Sequence, residues 1–304
     1  MTPAPHRPQP RESAQRCALR AQLRGDPLLG TAFPASRLLL VEQPGPWGHA
    51  GLRESRFDRS VALALEQRAL AAGVRVLTIR RPGRTPRGTR RHWALVDSRD
   101  GSTGLRWGSY GADAELLDVP LDATAGQTDD APLYLVCAHS KHDTCCALRG
   151  RPVAAALDEQ RPGRVWECSH VGGERFAANV LVLPSGLLYG RVLPFAATEF
   201  VAATEAGEVV GALLRGRIGL APPAQAALAF AYEHLALRRR DALRVLDVSP
   251  VDDGQAQVRL VGPHGELEVT VRVERIAADG LTCHNPRPNA YLAYHPVRID
   301  AVEA

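Results

Sequence analysis

Residues 132–160 read PLYLVCAHSKHDTCCALRGRPVAAALDEQ, and residues 164–192 read RVWECSHVGGERFAANVLVLPSGLLYGRV. PLYLVCAHS opens with an unbroken apolar run, the pattern of a strand buried on both faces. Asp143 or Thr144 can cap a helix through CCALRGRPVAAALDEQ, in which Gly150 and Pro152 predict an early irregularity. RVWECSH is a second short strand and VGGERF a tight loop. ANVLVLP and LLYGRV are two more strands, turned at Ser185–Gly186. Strand, helix, strand and hairpin make an α/β unit. It puts Cys137 at a strand end, Cys146 in the first turn of a helix, and Cys168 and His170 two apart on a strand.

The same order occurs upstream, in residues 30–120. SRLLLVEQPGPWG is a strand running into a Pro-rich turn, SVALALEQRALAAG a helix stopped by Gly73, and VRVLTI a β-branched strand. HWALVDS and GLRWGSY form a strand pair. The shared order is consistent with duplication of a thioredoxin-like unit. LDATAGQTDD (121–130) is a polar linker. Beyond the second unit, TEFVAATEAGEVVGALL and PPAQAALAFAYEHLAL are helical. LRVLDVSP, QAQVRLVG and LEVTVRVERI alternate as a three-stranded meander, and the Pro-broken tail HNPRPNAYLAYHPVRI is expected on the surface. The expected organisation is a disordered leader over 1–29, an N-terminal αβ segment over 30–120, the central unit over 131–238 and a small β appendage with a tail over 243–304.

At 304 residues the chain is too long for one ordinary core. Its 45% hydrophobic and 23% charged residues are the balance of a soluble globular protein. No stretch approaches the ~20 apolar residues of a membrane helix. The N-terminus carries Pro and Arg where a signal peptide needs an apolar run, so a cytoplasmic location is expected. A net charge of +4 gives no basis for a nucleic-acid surface. The one basic run, RRPGRTPRGTRRH (80–92), reads as a solvated loop and lacks interleaved aromatics.

Four of the six cysteines, Cys137, Cys145, Cys146 and Cys168, fall within one short span. In a cytoplasmic chain such crowding points to metal or redox chemistry rather than to a disulfide framework. A helix N-terminus stabilises a thiolate at Cys146. Gly172 and Gly173 let backbone turn closely after His170. Three thiolates and one imidazole suit an iron–sulfur cluster or zinc. Zinc usually shows shorter knuckles than Cys137-x8-Cys146, and a thiol reductase would want C-x-x-C rather than adjacent Cys145 and Cys146. Cys17 and Cys283 stand alone and read as non-ligands. No dinucleotide fingerprint or P-loop occurs.

The strings CAHSKHDTCCALRGRPV (137–153), WECSHVGGERFAANVLVLPSGLLYGRV (166–192) and LLLVEQPGPWG (38–48) resemble the sucrase/ferredoxin-like family over roughly residues 30–235. That resemblance implies an α/β architecture with a thioredoxin-like [2Fe–2S] ferredoxin domain. It implies ligation by a C-x8-C pair, matched by Cys137 and Cys146, and by two histidines spaced H-x3-H. His170 matches the first histidine, but Glu174, a hard oxygen donor, stands at the second. Cys168 is the expected substitute, so the expected ligand set is Cys137, Cys146, Cys168 and His170, with Cys145 the competitor for Cys146. Glu42, Pro46 and Trp47 match the family without an assigned role. The implied activity is one-electron transfer or redox sensing with an unidentified partner protein, and a potential that depends on pH through the imidazole. Arg175 is a candidate for raising that potential or docking the partner. No motif marks the facing carboxylate pair that glycoside hydrolysis requires.

Overall fold

The computed structural model describes residues 16–83, 90–102, 104–251, 254–285 and 287–302. The first fifteen residues of the expected leader, and Arg84 and Arg87 of the basic run, lie outside the described residues. Within the expected leader, Cys17–Arg24 form helix α1, which buries Cys17, Ala18 and Ala21.

The chain continues as β1 (Arg37–Glu42), α2 (Arg59–Ala71), β2 (Arg75–Arg80), β3 (Arg91–Asp97), β4 (Gly104–Tyr110) and β5 (Gln127–Thr128). The second unit follows as β6 (Leu133–Cys137), α3 (Thr144–Gln160), β7 (Val165–Cys168), β8 (Val180–Leu183), β9 (Leu187–Tyr189), α4 (Ala197–Glu205) and β10 (Leu214–Arg217). Helix α5 (Pro222–His234) leads to β11 (Arg244–Val251), β12 (Gln255–Gly262), β13 (Gly265–Ala278) and β14 (Asn289–Ala301).

Strands β1 to β10 form one mixed sheet in the order β10-β9-β8-β6-β7-β2-β1-β3-β4-β5. Its two halves match: β2-β1-β3-β4 and β7-β6-β8-β9 each pair two parallel strands and then add an antiparallel hairpin. They join edge to edge where β2 meets β7 antiparallel, Ile79 opposite Cys168 and Arg80 opposite Glu167. Strand alternation sends Leu133, Leu135 and Cys137 to one face, and Tyr134 and Val136 to the other. The outer faces pack against α2 and against α3 with α4. The inner face is shared by both halves. The sheet curls until distant turns touch, with Gly186 against Ser98 and Gly104 against Pro184.

Four expectations change. β5 pairs with β4 inside the stretch read as a linker. The meander has four strands, because the tail forms β14 and pairs along the length of β13. Pro296 is tolerated there because β14 is an edge strand with a register shift at that point. Helix α3 runs unbroken through Gly150 and Pro152. The carbonyl that loses a partner to Pro152 belongs to the exposed Leu148, and a Cβ on Gly150 would lie 2.1 Å from the Cys137 carbonyl. Finally, three arginines of the basic run are partnered, while Arg90 and His92 stay exposed. Arg80 binds Glu167, Arg81 lies 3.7 Å from the Trp166 ring centre, and Arg91 pairs with Asp113.

Candidate metal centre

Cys137 is the last residue of β6, beside Cys168 on the neighbouring parallel strand. The chain then turns through residues 138–143, where the His139 carbonyl accepts from the backbone N–H groups of His142 and Asp143. The Asp143 carboxylate caps α3 by accepting from the Cys145 N–H at 2.8 Å. That turn brings Cys146, in the first helical turn, back over the strand end. After β7 the chain leaves extended geometry, and the loop delivers His170.

The ligand atoms of Cys137, Cys146 and His170 all lie within 4.8 Å of one another. His170 Nδ1 is 4.0 Å from the Cys137 sulfur and 3.8 Å from that of Cys146. On its other side, His170 Nε2 lies 3.3 Å from a Glu174 carboxylate oxygen, one helical-type step along the loop. His142 stacks on His170 with ring centres 3.8 Å apart, and its ligand atom groups with those of His170 and Glu174. Both cysteines are fully buried, whereas the His170 side chain keeps 15% of its surface, so the centre sits at a rim.

Surrounding residues hold this arrangement. His139 Nε2 faces the Gly48 carbonyl at 2.7 Å and that of Trp47 at 3.1 Å, so this nitrogen carries the proton. Its Nδ1 is then free to accept from the His170 backbone N–H at 3.3 Å. The Pro-rich turn after β1, with Trp47, thereby fixes the histidine loop of the other half. Arg75 donates to the His170 carbonyl at 2.9 Å. Arg215, 1% exposed, lies beneath the glycine pair and donates to the Gly172 carbonyl, to Asn179 and to Thr31. Gly173 has φ +68°, and a Cβ there would lie 2.4 Å from the Arg215 guanidinium. No larger residue fits between loop and cation.

The electrostatics separate charge within the site. The hydrogen bond from the Cys146 thiol pulls Cys137 well below the ordinary thiol range, against burial and with help from His170. Burial pushes His170 down, but Cys137 and Glu174 outweigh it and raise the imidazole to about 9. Burial and the neighbouring His170 lower His142 to about 4, so it stays neutral. Burial also lowers Arg215, to about 9.

Of the expected ligands, Cys137, Cys146 and His170 come together. Cys168 sits in the apolar core at the β2–β7 joint, and its sulfur is in neither ligand group at this site. Cys145 faces away from Cys146, toward Cys17 and Cys283. Glu174 contacts His170. Arg175 is turned away from the centre, packed on Phe176 and Tyr291 and 3.4 Å from Asp26. Sequence reasoning gave His139 no task and missed Arg75 and Arg215. Only the motif CAHSKHD, with a histidine two residues after Cys137, carried a local signal for any of the three.

Comparison with known proteins agrees with the earlier resemblance. The family model described as sucrase/ferredoxin-like matches residues 28–216. The chain is 28% identical over 107 residues to the Altered inheritance of mitochondria protein 32 of Candida glabrata, covering 30% of this chain. That alignment takes in 34% of the relative, so the chain spans about a third of its length. No solved structure matches.

Proposed function

The chain belongs to the sucrase/ferredoxin-like family, and from that premise we propose that Cys137, Cys146 and His170 hold a [2Fe–2S] cluster serving one-electron transfer or redox sensing. The observation that carries this reading is the convergence of two buried thiols and an imidazole where a strand end, a helix start and a loop meet. Thiolates and imidazole are the donors such clusters take. The second half of the sheet, β7-β6-β8-β9 with α3 between its parallel strands, supports a thioredoxin-like reading of the cluster-holding unit. The first half is the related segment.

For the fourth donor the arrangement favours His142 over Cys168. His142 is neutral, stacked on His170 and grouped with it. Glu174 then acts as the outer carboxylate, accepting from His170 Nε2–H and leaving Nδ1 as the donor atom. This is the usual arrangement by which a second group fixes a ligating histidine's tautomer and ring orientation.

Bound there, the cluster supplies reversible one-electron chemistry. The chain's own residues bias it. Neutral imidazoles in place of thiolates remove negative charge, and the buried Arg215 and half-buried Arg75 add positive charge beside the cysteines. Both effects favour the reduced state. The rings of His170, His142 and exposed His49 form a stack, with centres 3.8 and 5.0 Å apart, leading to the surface. A redox partner protein docked over His49 would meet the outer end of that stack. A reducing compartment such as the cytoplasm would keep both thiols available. Among the described residues, no helix is long and apolar enough to cross a membrane.

The test is anaerobic purification followed by visible absorption, iron and sulfide analysis, and low-temperature EPR after dithionite reduction. A brown protein with about two irons per chain and a reduced S = 1/2 signal is expected. A colourless protein after anaerobic reconstitution overturns the proposal.

A further inference from the structure

Three of the four cysteines that the proposed cluster leaves unused, all but Cys168, come together. Cys17 begins α1, Cys145 lies in the first turn of α3, and Cys283 lies in the connection between β13 and β14. Their sulfurs meet, Cys145 to Cys283 at 3.3 Å and Cys283 to Cys17 at 3.5 Å. The Asp143 carboxylate completes the group, its oxygens 3.7 and 3.8 Å from the Cys17 sulfur. All four ligand atoms lie within 4.8 Å of one another.

We propose that Cys17, Cys145, Cys283 and Asp143 form a second metal centre, a closed structural zinc site that staples α1 and the β13–β14 connection to the start of α3. The chemistry and the spacing agree. Zinc takes thiolates at about 2.3 Å in a tetrahedron, which sets neighbouring sulfurs about 3.8 Å apart. The observed separations fall slightly inside that edge. A single disulfide would use two of the sulfurs and leave a third thiol and a buried carboxylate against it.

The surroundings match a metal site. The Asp143 oxygens accept from the Cys145 N–H at 2.8 Å and from the Cys283 N–H at 2.7 Å, which fixes the carboxylate. Helices α1 and α3 both begin here, and their N-termini favour anionic sulfur. Cys17, Asp143 and Cys145 are fully buried and Cys283 is half-buried, and four protein donors make up the full tetrahedral set that a structural zinc takes. The ligands come from positions 128 and 138 residues apart along the chain, so one ion ties together segments that share no strand pairing (145 − 17 = 128 and 283 − 145 = 138).

This inference does not rest on the iron–sulfur reading, and the test keeps the two apart. The full chain is purified without chelator, and zinc and iron are measured alongside visible absorption. About one zinc per chain is expected. A Cys17→Ser/Cys283→Ser variant should lose that zinc and keep whatever visible absorption the wild type has. A Cys137→Ser/Cys146→Ser variant should keep the zinc. Zinc that instead follows Cys137 and Cys146 overturns the proposal, as does a wild-type chain that takes up none after reconstitution. Should the Cys17/Cys283 variant fail to fold, cobalt added to the Cys137→Ser/Cys146→Ser protein decides the matter. Tetrahedral cobalt–thiolate bands support the site, and their absence refutes it.

Discussion

Cys145 and Cys146 are adjacent in sequence, and their sulfurs belong to different groups of candidate ligands. Successive residues on a helix step by about 100°, so neighbours at the start of α3 face different ways. Cys146 turns toward Cys137 and His170, and Cys145 toward Cys17 and Cys283. The first centre draws its core from residues 137–170, sits at a rim, and is surrounded by imidazoles and buried arginines. The second draws on positions 266 residues apart and has a carboxylate beside its thiols. A cation-flanked site with an imidazole at the rim is suited to exchanging electrons. A site joining distant segments through thiols and a carboxylate is suited to holding the fold.

The sharpest way to break that contrast is to exchange the two neighbours' roles by mutation. Cys146→Ser should abolish the visible chromophore and leave zinc in place, and Cys145→Ser should do the reverse. Paired absorption and metal analysis read both at once, and either variant losing both metals would merge the centres into one. Next in size is Arg215→Met, which removes a buried cation bonded to Gly172, Asn179 and Thr31. We expect a loss of about 3–5 kcal/mol in denaturant unfolding and a disturbed reduced-state EPR spectrum. An unchanged spectrum would detach Arg215 from the first centre.

A smaller effect is expected from Glu174→Gln, which keeps an acceptor for His170 but removes a negative charge. The midpoint potential should rise by about 50 mV, a little under a tenfold change for one electron, with zinc content unaffected. Redox titration checks it, and a fall in potential would contradict the role given to Glu174. Smallest is Asp129→Asn, distant from the chemistry of both centres. Burial raises Asp129, but the Arg164 hydrogen bond and charge outweigh it and lower its pKa. Its contribution is therefore present above the unfolded value of about 3.9 and lost as pH falls through the folded one. The variant should cost about 1 kcal/mol at pH 7 and nothing below both values, as unfolding across pH would show.

Much of the first half of this picture was legible in the chain. Period-two and unbroken apolar runs marked β1, β2, β6 and β8, because strands buried on both faces admit little else. Cysteine crowding and the glycine pair marked the loop at 170–173. The tail was misread, because Pro296 looks like a breaker until the register shift beside it is seen. Cys168 was expected on one strand face with His170, but β7 ends at Cys168, so strand alternation does not extend to His170.

The sequence by itself determined the family and the α/β units, and it offered a candidate set of Cys137, Cys146, Cys168 and His170, since each depends on residues close along the chain. Only the tertiary structure decided that the halves join through β2 and β7, that Arg215 and His139 brace the histidine loop, and that Cys17 and Cys283 meet at Cys145. Ligation depends on distance in space and on the direction a side chain leaves its helix or strand. Neither is encoded in spacing once the partners are more than a hundred residues apart.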